Sequence, residues 1–164
     1  MRRIAITAIA LAALAVTAAA QGTSVPFGGL QQDTDLPVEI AADRLEVTQE
    51  TGQAVFIGTV VASQGAMRLA ADRLEVTYAN AEEGAAPDGI ESLHASGRVT
   101  LSNGAEAAEA AEAVYTIASG VIVLSGDVLL TQGETLIAGD RLTVTLATGA
   151  AVMEGRVKTI LQPR

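Results

Sequence analysis

Leu93, Ala95, Gly97, Val99 and Leu101 are apolar or small, and His94, Ser96, Arg98, Thr100 and Ser102 between them are polar or charged. Ile122, Leu124, Gly126, Val128 and Leu130 repeat the same phase. Period-two alternation predicts strands with one face on a core and the other on water. Val55 to Val61 is apolar on both faces. Its wealth of β-branched residues still favours a strand. Thr51-Gly52, Ser102-Asn103-Gly104, Ser119-Gly120 and Thr148-Gly149 punctuate the pattern as turns. One stretch pulls the other way: Ala105 to Ala113 is Ala-Glu-Ala-Ala-Glu-Ala-Ala-Glu-Ala, a good helix sequence by propensity. Its place in the pattern predicts a strand, and context overrides propensity in short segments.

The alternation is organised as a repeat. Gly58-Thr59-Val60 is followed by Gln64-Gly65, Gly97-Arg98-Val99 by Asn103-Gly104, Gly126-Asp127-Val128 by Gln132-Gly133, and Gly155-Arg156-Val157 by Gln162-Pro163. Between these lies a second element. Ala42-Asp43-Arg44-Leu45-Glu46-Val47-Thr48 recurs as Ala71-Asp72-Arg73-Leu74-Glu75-Val76-Thr77 and Gly139-Asp140-Arg141-Leu142-Thr143-Val144-Thr145. Ala111-Glu112-Ala113-Val114-Tyr115-Thr116 is a weaker copy. On this alignment the acidic positions 43, 72, 112 and 140 are spaced by 29, 40 and 28 residues. The long interval holds Asn80 to Gly89, rich in Ala, Glu and Gly, which reads as a loop inserted into a period of about 29. Glycine recurring in mid-strand marks a bend or bulge. Bends in register would fold each long strand across two sheets. The expectation is an all-β domain of eight or more antiparallel strands in about four strand-pair repeats. It would be an open-ended two-sheet jelly roll or a β-solenoid.

The chain start has a different character. Met1-Arg2-Arg3 is basic, Ile4 to Ala20 is uncharged, and Ala18-Ala19-Ala20 offers a small-residue cleavage site before Gln21. This is the layout of a secretory signal peptide, with cleavage expected after Ala20 and export to the periplasm. Residues 21–36 are expected to be a flexible segment, and 37–162 a single domain. With 10 Lys+Arg against 19 Asp+Glu, the net charge is -9, which argues against nucleic acid as a partner. The absence of Cys excludes disulfides, thiolate zinc sites and a cysteine nucleophile.

The ordered series Asp33 to Ile40, Ala42-Asp43, Gly58-x-Val60-x-x-x-Gln64-Gly65, Ala71-Asp72, Tyr115, Gly126, Gly139-Asp140 and Val157 to Pro163 resembles the LptA/OstA-like family of periplasmic lipopolysaccharide-transport proteins. The resemblance covers nearly all of the chain after the leader and is weakest between Asn80 and Glu109. It implies a jelly roll of two antiparallel sheets forming a V-shaped, open-ended trough. It implies a bridge carrying lipopolysaccharide from the inner to the outer membrane. The implied partners are an LptC-like inner-membrane anchor, an LptD-like outer-membrane translocon, and further copies joined head to tail by terminal strands.

The chemistry of the residues agrees with that reading. Few cations are present to clamp phosphates, so acyl-chain burial, worth about 0.8 kcal/mol per methylene, is the expected device. Inward phases nominate Leu45, Val47, Phe56, Val60, Val99, Leu101, Leu124 and Val128 as lining, with Leu74, Val76, Ile122, Leu130, Leu142, Val144, Met153 and Val157. For any one of these a plain core role is the commoner explanation; the claim concerns the set, whose small residues and 2% aromatics would leave the sheets incompletely filled. Thr34, Val38, Ile40, Tyr115 and Ile117 match lipid-facing stretches of the family pattern. Strand edges for partners are expected at Val38 and Ile40 and at Val157, Thr159 and Leu161. Arg156 and Lys158 on the last strand are gatekeepers, partner selectors or a solvated face. His94, the lone histidine, lies in the polar phase with no nucleophile proposed beside it, so no enzyme is expected. Asp43, Asp72 and Asp140 lie too far apart for a calcium site and are expected to bond to backbone at bends. No cofactor is expected. Two alternatives stay open: a structural β-solenoid that binds no lipid, and a membrane-anchored LptC-like relative with an uncleaved leader.

Overall fold

The structure, a computed structural model, describes residues 23–26, 33–48, 52–79 and 89–161. The expected leader, most of the insertion Asn80 to Gly89 and the end of the fourth repeat lie outside these residues. Eleven strands follow one another: β1 Thr23–Pro26, β2 Glu39–Ala41, β3 Arg44–Thr48, β4 Gln53–Gln64, β5 Met67–Tyr78, β6 Ile90–Ser102, β7 Glu106–Thr116, β8 Val121–Gln132, β9 Thr135–Thr145, β10 Ala150–Glu154 and β11 Lys158–Ile160. The alanine- and glutamate-rich stretch is the strand β7, as its place in the repeat required. Strands β4 to β10 form an antiparallel meander, each paired with the next.

Every long strand bends once, and the bends lie in register. At Gly58-Thr59, Gly97-Arg98, Gly126-Asp127 and Gly155-Arg156 two successive residues have positive φ, near +80° at the glycine and near +47° at the next residue. The second of these conformations is unusual for a side-chain-bearing residue and costs of order 1–3 kcal/mol unless the surroundings impose it. The backbone setting is shared. Two residues on the bent strand oppose one on its neighbour, as at Ile57/Val60 against Arg73/Ala71, which is a β-bulge.

The inward phase follows from the bulge. On β6, Leu93 and Ala95 before the bend and Val99 and Leu101 after it are all buried. On β5 the phase switches: Leu69 and Ala71 are buried, then Leu74 and Val76. Asp72 and Arg73 point away in succession as the strand turns the corner. The corner divides the meander into two facing sheets. One contains β3, the first half of β4, the second half of β5 and so on to β10 and β1. The other contains β2, the second half of β4 and so on to β11. Their inner faces make one continuous apolar core. The architecture is the open two-sheet jelly roll, with the row of bends as the apex of a V.

One expectation is corrected here. The residue opposite the third bend is Ala111, not Glu112: a Cβ on Gly126 would lie 2.7 Å from the Ala111 Cβ, where the other bends meet Asp43, Asp72 and Asp140. The spacings therefore become 29, 39 and 29, a regular period with a ten-residue insertion. Within the segment 21–36, Thr23–Pro26 is a strand on β10 and Asp33 to Leu36 forms a turn.

Candidate binding trough and its ends

Along the apex, each aspartate packs beneath a bend and meets the side chain that follows the glycine. Thr59 Oγ1 donates to Asp43 Oδ2 at 3.1 Å. Arg98 grips Asp72 with Nε and Nη2, and Arg156 grips Asp140 in the same way. The guanidinium hydrogen bonds hold both carboxyls below the usual aspartate range. The expectation of backbone bonding is thus corrected: these carboxylates meet side chains, while the backbone N–H groups of Asp43 and Asp140 donate to the Gly58 and Gly155 carbonyls. Arg156 is engaged within its own chain, so it is not spare for a partner edge. At the third bend the aspartate is missing, and a shallow open groove of about 500 Å³ lies between Arg98 and Asp127.

Inside the V, the nominated lining is buried except at Leu45 and Val47. Val60, Val99, Leu101, Leu124 and Val128 lie in the core with Leu74, Val76, Ile122, Leu130, Leu142, Val144 and Met153. Phe56, Ile117, Ile40, Val38 and Val157 are half-buried against it. The small residues of the interior are themselves closed off from solvent. Ala54, Ala95, Ala108, Ala113 and Ala151 sit at 0–2% exposure, where small side chains let the sheets close on one another. Near the mouth a cavity of about 10 Å³, the size of one water, is lined by Val38, Gln64, Met67, Leu93, Tyr115 and Ile122 among others.

The mouth of the V is fastened. Tyr115, at the rim of one sheet, donates its hydroxyl to Gln64 Oε1 on the rim of the other at 3.0 Å. Burial pushes the Tyr115 pKa above the ordinary tyrosine value. Gln64 Nε2 donates to the carbonyls of Thr34 and Leu36 at 3.1 and 2.8 Å. Thr34 in turn stands against Gly120, in the turn beyond Tyr115. Residues 33–36 therefore lie across the gap as a strap. Gln64, a buried polar residue at the centre of this latch, was not nominated from sequence, although Gln64-Gly65 had been noted as a repeat signature.

The ends differ from the middle. Leu45 and Val47 on β3 are 52% and 63% exposed, while their repeat equivalents Leu74 and Val76 are at 1% and 0%. They continue the inner face, and the described residues leave more than half of each uncovered. Sequence had placed them in the lining; the structure leaves that lining bare at this end. At the far end Val157 packs on the core, Thr159 pairs with Ile137, and Leu161 is exposed. Val38 and Ile40 sit at the opposite edge, on and before β2.

The chain matches the family model described as the LptA/(LptD N-terminal domain) LPS transport protein over residues 39–150. The chain belongs to this family. It is 33% identical to an uncharacterized protein of Rhizobium meliloti (strain 1021), over 98% of this chain and 90% of that one. It is 27% identical to the lipopolysaccharide export system protein LptA of Escherichia coli (strain K12), over 73% of this chain and 65% of that relative's length. In fold it is similar to LptH, the LptA homologous periplasmic component of the lipopolysaccharide transport device of Pseudomonas aeruginosa. The TM-score is 0.68 at 17% identity, covering 80% of this chain and 99% of that one. The family boundary at residue 39 coincides with the first residue of β2, so the strap and β1 lie outside the matched region.

Proposed function

We propose that this protein is a periplasmic carrier of lipopolysaccharide that bridges the inner and outer membranes. It shelters acyl chains between its two sheets and joins partners end to end by strand pairing. One observation carries the reading: a continuous apolar interior runs the length of the V and emerges uncovered at Leu45 and Val47. The named relatives, an export-system protein and a transport-device component, support the same reading.

In this reading acyl chains replace contacts between the two inner faces, and the sheets part at the mouth. The Tyr115–Gln64 bond and the 33–36 strap are what must yield. Val38, Ile40, Tyr115 and Ile117 are the first apolar surface a chain meets there. The site offers no nucleophile and base in register, and we assign it carriage rather than catalysis. In this reading a partner drives directional transport, and an LptC-like anchor and an LptD-like translocon meet the protein at the two membranes. The leader is cleaved after Ala20, and an intact mass of the exported protein starting at Gln21 checks this against an anchored form.

The test is displacement of a fluorescent acyl probe from the purified exported chain by lipopolysaccharide, at low and high salt. Saturable displacement with little salt dependence is expected, because methylene burial is insensitive to ionic screening. Strong salt dependence would overturn acyl burial as the mechanism. A folded protein that releases no probe would overturn the carrier reading itself.

A further inference from the structure

β10 is not the last strand of its sheet. Thr23–Pro26 pairs antiparallel with it, from Thr23 opposite Met153 to Pro26 opposite Ala150. The same chain then supplies β2 to the opposite end of the molecule, on β4. The N-terminal segment thus touches both ends of the V.

The place taken by β1 has a second claimant. Strands in the sheet alternate in direction, so a strand beside β10 must run antiparallel to it, as β1 does. A second copy set at the end in the same orientation presents its β3 in that direction and in that sheet. β3 has five residues, Arg44–Thr48, and β10 has five, Ala150–Glu154. β1 already covers positions 150–153 of those five. The last residue of β1 is proline, which has no N–H to offer a further strand, so its outer edge is a poor template for pairing.

We propose that β1 is a built-in cap on the β10 edge, and that a second copy joins this end only by displacing it. The inference rests on the end-to-end joining proposed above. Exchange replaces one short ladder by another, so backbone hydrogen bonds give little net drive. The drive is burial of Leu45 and Val47, which β1 does not bring. Association of identical copies is therefore held weak until β1 leaves.

The experiment compares three forms of the exported chain by light scattering over a concentration series: unaltered, lacking residues 23–26, and carrying Ser24→Cys with Val152→Cys. Positions 24 and 152 are opposed in the ladder, and the chain has no other cysteine. The deletion should shift the association midpoint down by at least about tenfold. The oxidised double-cysteine form should stay monomeric and associate again on reduction. Because the locked form keeps every strand, it tests the cap even if the deletion fails to fold. Equal association of oxidised and reduced forms would overturn the cap, as would a folded deletion form that associates no better. Acyl-probe displacement is run on each form: its loss throughout counts against the carrier reading, while retained binding with unmoved association counts against the cap alone.

Discussion

At Gly97 the backbone φ is +78°, and a Cβ there would stand 2.7 Å from Asp72 Oδ2 and 2.9 Å from the Asp72 Cβ. Both facts oppose a side chain, the first by conformation and the second by space. Gly97→Ala is expected to destabilise the fold by at least about 1–3 kcal/mol, read as a lowered urea midpoint with unchanged slope. The ion pairs beneath the bends contribute in a different way. Asp72 and Asp140 have folded-state pKa values below their unfolded value, because Arg98 and Arg156 stabilise the carboxylates. Their contribution is present above the unfolded pKa, about 3.9, and is lost as pH falls through the folded value. Replacing both arginines by glutamine should lower stability modestly at neutral pH, the pairs being exposed and screened, and leave the acid limit unmoved, so the profile flattens as pH falls below about 4. Urea midpoints measured against pH for both forms check this. A variant curve that lies below the unaltered one at neutral pH and converges with it in acid is the expected signature.

Strand β3 supplies an internal control, because Leu45 and Leu74 occupy one repeat position in different surroundings. Leu74→Ala empties a fully buried place and should cost about 2–5 kcal/mol. Leu45→Ala removes a half-exposed side chain and should move monomer stability by less than about 0.5 kcal/mol, yet weaken end-to-end association. Denaturation and light scattering on the two variants separate the roles. This pair also marks where sequence reading stops. The alternation of Leu93 to Leu101 and of Ile122 to Leu130 gave strands and inward faces because a bulge preserves phase on the bent strand. On β5 the phase switches at Asp72-Arg73, and a period-two reading carried across the switch would invert one half. The third repeat slipped by one for a related reason: Ala111 stands where aspartate stands elsewhere, and the neighbouring Glu112 offered a false match. Exposure at Leu45 was illegible because it depends on which strand is last, a property of the whole sheet. The Gln64–Tyr115 latch was equally hidden, since it joins residues 51 apart on opposite rims.

At the scale of the molecule, the question is which force joins one copy to the next. Each chain carries a net charge of -9, so two copies repel at long range. Joining through complementary charges would need unengaged cations at the β11 end. Arg156, the bend cation there, is held by Asp140, which leaves Lys158 as a modest counterweight among the described residues. The proposed contacts are backbone pairing and burial of Leu45 and Val47, both of short range. Added salt screens the repulsion, with a Debye length shrinking from about 30 Å at 0.01 M to about 8 Å at 0.15 M, and hardly touches the contacts themselves. Association of the cap-deleted chain should therefore strengthen as salt rises over this range, followed by light scattering at fixed protein concentration. The opposite trend would mean that opposed charges make the joint. It would move the partner surface from the inner apolar face to Lys158 and the acidic Glu39 at the other end.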